Sequence, residues 1–292
     1  MRLFFRKLTT DDIPAIEDIS KDIWEGEDYI PQVIENWLQD KNCMNYGTFL
    51  DEKREEMVGF GRVKLFAKEI AWLEGGRVKT EYQKQGIGRE MIKYAIDYAS
   101  SVKAKVAQYD TSSKNLGSVA LAQHFGFKKK KSMNVLRAER KDIKPFKTPS
   151  IVVRKIPATE AKERYKNFNV GVGNEICMGW NYKPLKYISD EDGEWYVINS
   201  KVILQKVKFK SIPVRESPEE KEVWMIVYGR PKIAIKLIKY ILQKEFKYKE
   251  NKTYGVFCSP EIAGLVEDLG FSYNEGEPFV VVLYEKKFEL KK

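Results

Sequence analysis

The six residues Gln83, Lys84, Gln85, Gly86, Ile87 and Gly88 constrain this chain more than any other stretch. They follow a run over 69–79 with strand character. They precede a segment from about Gly88 to Ser101 in which Met91, Ile92, Ala95, Ile96 and Ala99 make one apolar helical stripe. A strand that turns through glycines into a helix gathers unpaired N–H groups and the positive end of the helix dipole at one point. Gly86 and Gly88 let anionic oxygens reach that backbone with no Cβ in the way. The stretch therefore predicts a pyrophosphate cradle, against the plainer reading of two glycines in a turn. Neither a Walker loop, G-x-x-x-x-G-K-[ST], nor a dinucleotide fingerprint, G-x-G-x-x-G, fits it. Lys84 and Arg89 either meet phosphates there or face solvent at the helix start.

The flanking segments predict a mixed α/β unit. Residues 2–8 (RLFFRKL) read as a strand, and Thr9 or Thr10 ahead of Asp11 and Asp12 supplies a cap for a helix to about Lys21. Pro31 suits the start of a second helix carrying Val33, Ile34, Trp37 and Leu38. Strands near 45–50, 56–66 and 69–79 come next, then the loop and its helix. A strand at 105–110, a helix at 115–125 stopped by Gly126, and a strand at 127–138 complete the order β-α-α-β-β-β-α-β-α-β.

At 292 residues the chain is long enough for two domains. Pro145 and Pro149 among Lys141, Lys144 and Lys147 mark a stiff linker over 141–150. Beyond it the pattern restarts: FFRKLTTDDIPAIEDI is echoed by VVRKIPATEAKERYKNF, and VALAQHFGF by IAGLVEDLGF. Strands at 194–209, 223–228, 253–258 and 279–288 and a helix from Pro231 fill the second half. The expected organisation is a tandem repeat of one mixed α/β unit, 1–140 and 151–292. In the second half VWMIVY is followed by Gly229, Arg230 and Pro231, with no second glycine and one N–H removed by proline. That half is expected to bind no phosphate and to brace the first half or close its acceptor cleft.

The net charge of +10 divides evenly between the halves, so no basic arm exists and nucleic acid is not an expected partner. Lys128 to Lys131 should alternate between two faces of their strand. Residues 10–40 hold ten acidic side chains against Lys21 alone, whereas residues 58–150 hold twenty basic against eight acidic. A cationic amine would be drawn to the first segment and a polyanion to the second. Three cysteines with no C-x-x-C pair and one histidine, His124, suggest neither disulfides nor a metal. No apolar run approaches the roughly 18 residues of a membrane span and the N-terminus turns polar early, so no membrane association and a cytoplasmic location are expected.

The pattern Q-x-x-G-x-G, the preceding VKTEY and the later NLGSVALAQHFGF together resemble the Gcn5-related N-acetyltransferases, over roughly residues 2–138. The resemblance implies acetyl-CoA as acyl donor, held by Gln83 to Arg89. The backbones of Arg77, Val78 and Lys79 would pair with the pantetheine arm as an added strand. Asn115 would hold that arm by its side chain, or else serve as a helix cap. Transfer needs a base, and Glu74, two residues after Trp72, is the first choice; a solvent-facing carboxylate is its alternative. Many members place a tyrosine near the leaving sulfur in N-x-x-A-x-x-L-Y, but Ala122 stands at the tyrosine position here. Ser118, Tyr109 or a water would replace it.

The segment DIWEGEDYIPQVIENWL (22–38) with WLEGGRV (72–78) is similar to the histidine N-acetyltransferase group of that family. This implies a free amino acid as acceptor, with Glu25, Glu27, Asp28 and Tyr29 near its amine. The alternative is that Ile30, Pro31 and Trp37 fix a helix while the acids face water. The expected function is an acetyl-CoA-dependent N-acetyltransferase for a small amine. The rivals are a protein lysine or N-terminal acetyltransferase, told apart by whether the acceptor cleft is open at both ends or roofed, and a catalytically weak CoA-binding module.

Overall fold

The computed structural model describes residues 2–26, 28–67, 69–167, 175–199, 201–207, 221–273 and 276–289. The first half follows the predicted order: β1 (Phe4–Lys7), α1 (Ile13–Ser20), α2 (Ile30–Gln39), β2 (Cys43–Phe49), β3 (Met57–Phe66), β4 (Ile70–Val78), α3 (Ile87–Ser101), β5 (Val106–Ser112), α4 (Leu116–His124) and β6 (Lys128–Glu139). Thr9 and Asp12 form a capping box ahead of α1, and Asp12 also takes two hydrogen bonds from Arg6, at 2.8 and 2.7 Å. This ties β1 to the turn that starts the helix.

The second half holds β7 (Arg154–Ile156), α5 (Ala158–Asn167), β8 (Glu175–Cys177), β9 (Tyr182–Pro184), β10 (Gly193–Ile198), β11 (Val202–Val207), β12 (Lys221–Gly229), α6 (Pro231–Glu245), β13 (Asn251–Cys258), α7 (Pro260–Glu267) and β14 (Val280–Lys287). The single strand expected over 194–209 is two, β10 and β11, paired as a hairpin that turns at Asn199, whose φ is 50°. A local αL residue breaks a run that hydrophobicity alone presents as continuous. The short β8–β9 hairpin was not foreseen, because three-residue strands carry no periodic signal.

Among the described residues, twelve strands join in one sheet, in the order β1-β2-β3-β4-β5-β14-β6-β13-β12-β11-β10-β7. Its centre is an exchange. The last strand, β14, lies antiparallel between β5 and β6 of the first half, and β6 in turn pairs antiparallel with β13 of the second. Each half thus receives a strand from the other, and hydrogen bonding runs without a break from β1 to β7.

Alternation along the strands divides the core between two faces. On one, Leu73, Ala107 and Tyr109 pack with Met91 and Ala95 of α3 and Ala122 of α4, and α6 and α7 cover the second half. On the other, α1 and α2 cover the first half, while α5 and the β8–β9 hairpin pack on Trp72, Val135, Trp195, Trp224 and Leu283. The four lysines of 128–131 do not alternate as expected. The β6–β14 register shifts between Leu283 and Tyr284, which pair with Lys131 and Lys129, and this bulge lets both Lys130 and Lys131 reach Glu175. Gln108 donates to Glu175 and Glu285, each at 2.7 Å, so these lysines belong to a buried network joining the halves.

Candidate active site

The parallel pairing of β4 with β5 covers only Ile70–Trp72 against Val106–Gln108. Past Trp72 the strands part. The cause lies in β4: opposite β3, Glu74 pairs with Arg62 but Arg77 pairs with Phe60, so one extra residue bulges at Gly75 and Gly76. Gly75 has φ +66°, and a Cβ there would fall 2.5 Å from the Trp37 ring, so glycine is needed both for the conformation and for the packing. Among the described residues, the edge of β4 facing β5 from Leu73 to Val78 has no strand partner.

The loop 83–88 sits at the mouth of this split. Gly86 caps α3 with φ +86°, and Lys84 has φ +61°, so two αL residues bend the chain within three positions. The N–H groups of Arg89 and Glu90 bond to the Gly86 carbonyl at 3.1 and 3.2 Å, whereas those of residues 84–88 donate to no group among the described residues. Five consecutive donors without a partner among the described residues, at a helix N-terminus, make a nest suited to an anion. Gln83 and Gln85 brace it, donating to the carbonyls of Val78 at 3.1 Å and Glu81 at 3.0 Å. Ile87 is buried in the α3 core, so it offers the nest only its backbone. Lys84 and Arg89 are exposed. A Cβ on Gly88 would meet nothing closer than 3.8 Å, so close packing does not demand glycine there.

Asn115 caps α4, its side-chain oxygen accepting the N–H of Ser118 at 3.0 Å. The Tyr109 hydroxyl donates to the Ser118 carbonyl at 2.8 Å, and the ring packs on Phe127 and Tyr284. Burial pushes that hydroxyl's pKa well up. Tyr109 and Glu74 are not brought together: Tyr109 faces α3 and α4, and Glu74 faces the opposite side.

On that opposite side the split is lined by charged and aromatic groups. Glu74 lies with its Oε1 3.2 Å from Arg62 Nη1, yet this oxygen is buried with no hydrogen-bond partner. Burial holds the Glu74 carboxyl above its ordinary pKa, against the opposing pull of Arg62, Lys64 and Trp72. Arg62 also donates to Asp40 at 2.9 Å and stacks on Trp37. Asp28 is buried in a two-pronged pair with Arg77, both contacts at 2.8 Å, which engages the carboxylate expected near the amine. Trp24, 57% exposed, lies over the same guanidinium, and Tyr29 stacks beside it. The Tyr29 hydroxyl is pushed up to about 12 by burial, with Arg77 opposing and Glu74, Asp28 and Asp110 reinforcing. The side chain of Glu25 and all of Glu27 lie outside the described residues.

Asp110 was not foreseen. It stands on β5 two residues past Gln108, as Glu74 stands two past Trp72, so the two carboxyls face each other's side of the split. Only the pairing register reveals this, and one sequence does not contain it. Burial, then the charge of Glu74, raises the Asp110 carboxyl well above its ordinary pKa, and the nearby backbone of Tyr182 opposes the rise. Its Oδ2 is buried without a partner. Tyr182 belongs to β9, so the second half's hairpin forms a wall of the first half's cleft.

An open seam between parallel strands, a nest of free N–H groups at its mouth and buried carboxyls beside it are suited to an extended, phosphate-bearing acyl donor. Residues 13–127 match the sequence model of the acetyltransferase (GNAT) family; the chain carries a GNAT acetyltransferase domain, and acetyl-CoA is its acyl donor. The nest and the unpartnered β4 edge fit the pyrophosphate and the amide-bearing arm of that donor.

No match was found among curated protein sequences. Solved structures share the fold over nearly the whole chain. A GCN5-related N-acetyltransferase from Sphaerobacter thermophilus, 11% identical, matches 98% of this chain and 95% of its own with a TM-score of 0.62. One from Kribbella flavida, also 11% identical, matches 98% and 71% with a TM-score of 0.53. The GCN5-related glucosamine N-acetyltransferase region of a fungal multi-domain enzyme, 12% identical, matches 98% of this chain and 38% of its own at 0.65. Among the described residues no helix is long and apolar enough to cross a membrane, and no group of three or more His, Cys, Asp or Glu is arranged to hold a metal.

Proposed function

We propose that this protein transfers an acetyl group from acetyl-CoA to the amine of a small molecule, and that a free amino acid is the acceptor class. The observation that carries the reading is the β8–β9 hairpin: Tyr182 packs in one core cluster with Trp72 and Leu283, and Gln108 donates to Glu175 across the halves, so the hairpin stands beside the cleft where a polypeptide acceptor would have to cross. The similarity of 22–38 and 72–78 to the histidine N-acetyltransferase group supports the amino-acid choice. In this reading residues 1–140 form the catalytic unit and 151–292 a degenerate copy whose Gly229-Arg230-Pro231 turn lacks the nest.

Glu74 removes the amine proton, the nest of 84–88 holds the pyrophosphate, and the backbone of 77–79 pairs with the arm. Tyr109 already gives its proton to a carbonyl, which leaves the Ser118 hydroxyl or a water to meet the departing thiolate. The acceptor amine lies beside Glu74, with the Trp24–Tyr29 wall flanking the acceptor. The test is thiol release by the purified protein with acetyl-CoA and a panel of free amino acids, other small amines and peptides. Turnover with free amino acids supports the reading. Turnover with peptides alone rejects the small acceptor, and tight acetyl-CoA binding with no turnover on any amine favours a binding module.

A further inference from the structure

We propose that Asp110 is a second catalytic carboxyl, which shares with Glu74 the proton that must leave the acceptor's ammonium before attack. The inference rests on the acetyl-transfer reading of this cleft and deepens it. Asp110 and Glu74 occupy equivalent positions on two parallel strands, each two residues past the last paired residue, on the same face of the sheet. Each keeps a buried oxygen with no hydrogen-bond partner, Oδ2 of Asp110 and Oε1 of Glu74. A buried unpartnered carboxyl oxygen is costly, and a cationic amine lodged between two of them would satisfy both. The Asp28 carboxylate, by contrast, takes two hydrogen bonds from Arg77, while Glu74 has the ion pair with Arg62.

The proton count leaves one proton for a base beside the amine. An ammonium acceptor loses one proton to become nucleophilic. The nitrogen lone pair then forms the N–C bond, the C–S bond breaks, and the second nitrogen proton ends on the thiolate. Burial raises the Glu74 carboxyl while Arg62 and Lys64 oppose the rise, so a second negative charge beside it strengthens it as acceptor of the first proton. A like charge across the seam raises the basicity of the pair, so that the two carboxyls together take up one proton. The groups facing Asp110 are consistent with this. They are Glu74 from β4, Tyr29 ahead of α2, Cys177 from β8 and Tyr182 from β9, with Lys131 of β6 acting on Cys177 from the same side. Tyr29, Cys177 and Tyr182 are each held neutral by burial, so Glu74 is the charge that Asp110 meets.

The decisive experiment compares pH profiles of kcat/KM for the acceptor in wild type, Asp110→Asn and Asp110→Glu. Without the second charge the acid limb of Asp110→Asn should move about one pH unit lower. Its kcat should fall about 10- to 100-fold, while Asp110→Glu keeps the limb in place. An unmoved limb with kcat within about threefold of wild type would overturn the proposal, since a structural role alters rate without moving the limb. Carbon NMR titration of aspartate carboxyls in the intact protein decides the matter even if Asp110→Asn fails to fold. One aspartate should titrate far above the ordinary value of about 3.9 and drop in Glu74→Gln; aspartates that all titrate in the ordinary range would contradict the pair. Absence of acetyl transfer by wild type would reject the functional reading, while the titration would still judge the pair.

Discussion

Glu74 and Gly86 mark the two ends of what single side chains contribute here. Glu74→Gln keeps the shape but removes the base, so turnover should fall by about 10² to 10⁴ with acetyl-CoA affinity retained; a loss of only a few fold would remove Glu74 from that role. Because its pKa is raised, the wild-type rate should fall as pH drops through that raised value, where the base becomes protonated. Stability runs the other way. A carboxyl whose folded pKa lies above its unfolded one favours the folded state at low pH and loses that contribution as pH rises between the two values. Asp110→Asn, which never ionises, should therefore have a higher Tm than wild type at neutral pH and about the same Tm in acid, read by calorimetry. Equal Tm values at both pH values would count against a strained carboxyl. Gly86→Val forces a β-branched residue to φ +86°, and acetyl-CoA binding measured by calorimetric titration should be lost.

At the scale of elements, β4 makes the site by failing to continue its ladder. The bulge at Gly75 parts it from β5, and Gly75→Ala would place a Cβ 2.5 Å from the Trp37 ring at a φ of +66°. The expected cost is about 1–3 kcal/mol, read by urea denaturation, with a raised KM for the acceptor because Trp37 and its Arg62 stack must shift. Wild-type stability and KM in that variant would contradict the packing. Much of this level was legible in the sequence. The strand, the turn and the striped helix around QKQGIG announce themselves by period and by glycine, and the cap at Thr9 or Thr10 by its residue type ahead of Asp11 and Asp12. The split itself was not legible, because a bulge and a pairing register are relations between strands. Asp110 was hidden for that reason, and the Lys128–Lys131 alternation was misread for the same one.

At the scale of the molecule, the exchange of β6 and β14 makes two apparent repeats into one sheet. The echoes between 4–19 and 152–168 point to a repeat, yet nothing in them says that each half completes the other. Unfolding should accordingly be a single transition, with tryptophan fluorescence and far-UV circular dichroism coincident in urea; two separated transitions would show that the halves fold independently. A fragment of residues 1–150 should be unstable, since β5 and β6 would both lose β14. The same exchange sets the β8–β9 hairpin against the cleft, and this is what argues for a small acceptor. The most direct measurement is therefore the rate of CoA thiol release by the intact protein with acetyl-CoA, comparing free amino acids with peptides. The account predicts turnover with the free amino acids and little with the peptides; turnover confined to peptides, or none with any amine, would contradict it.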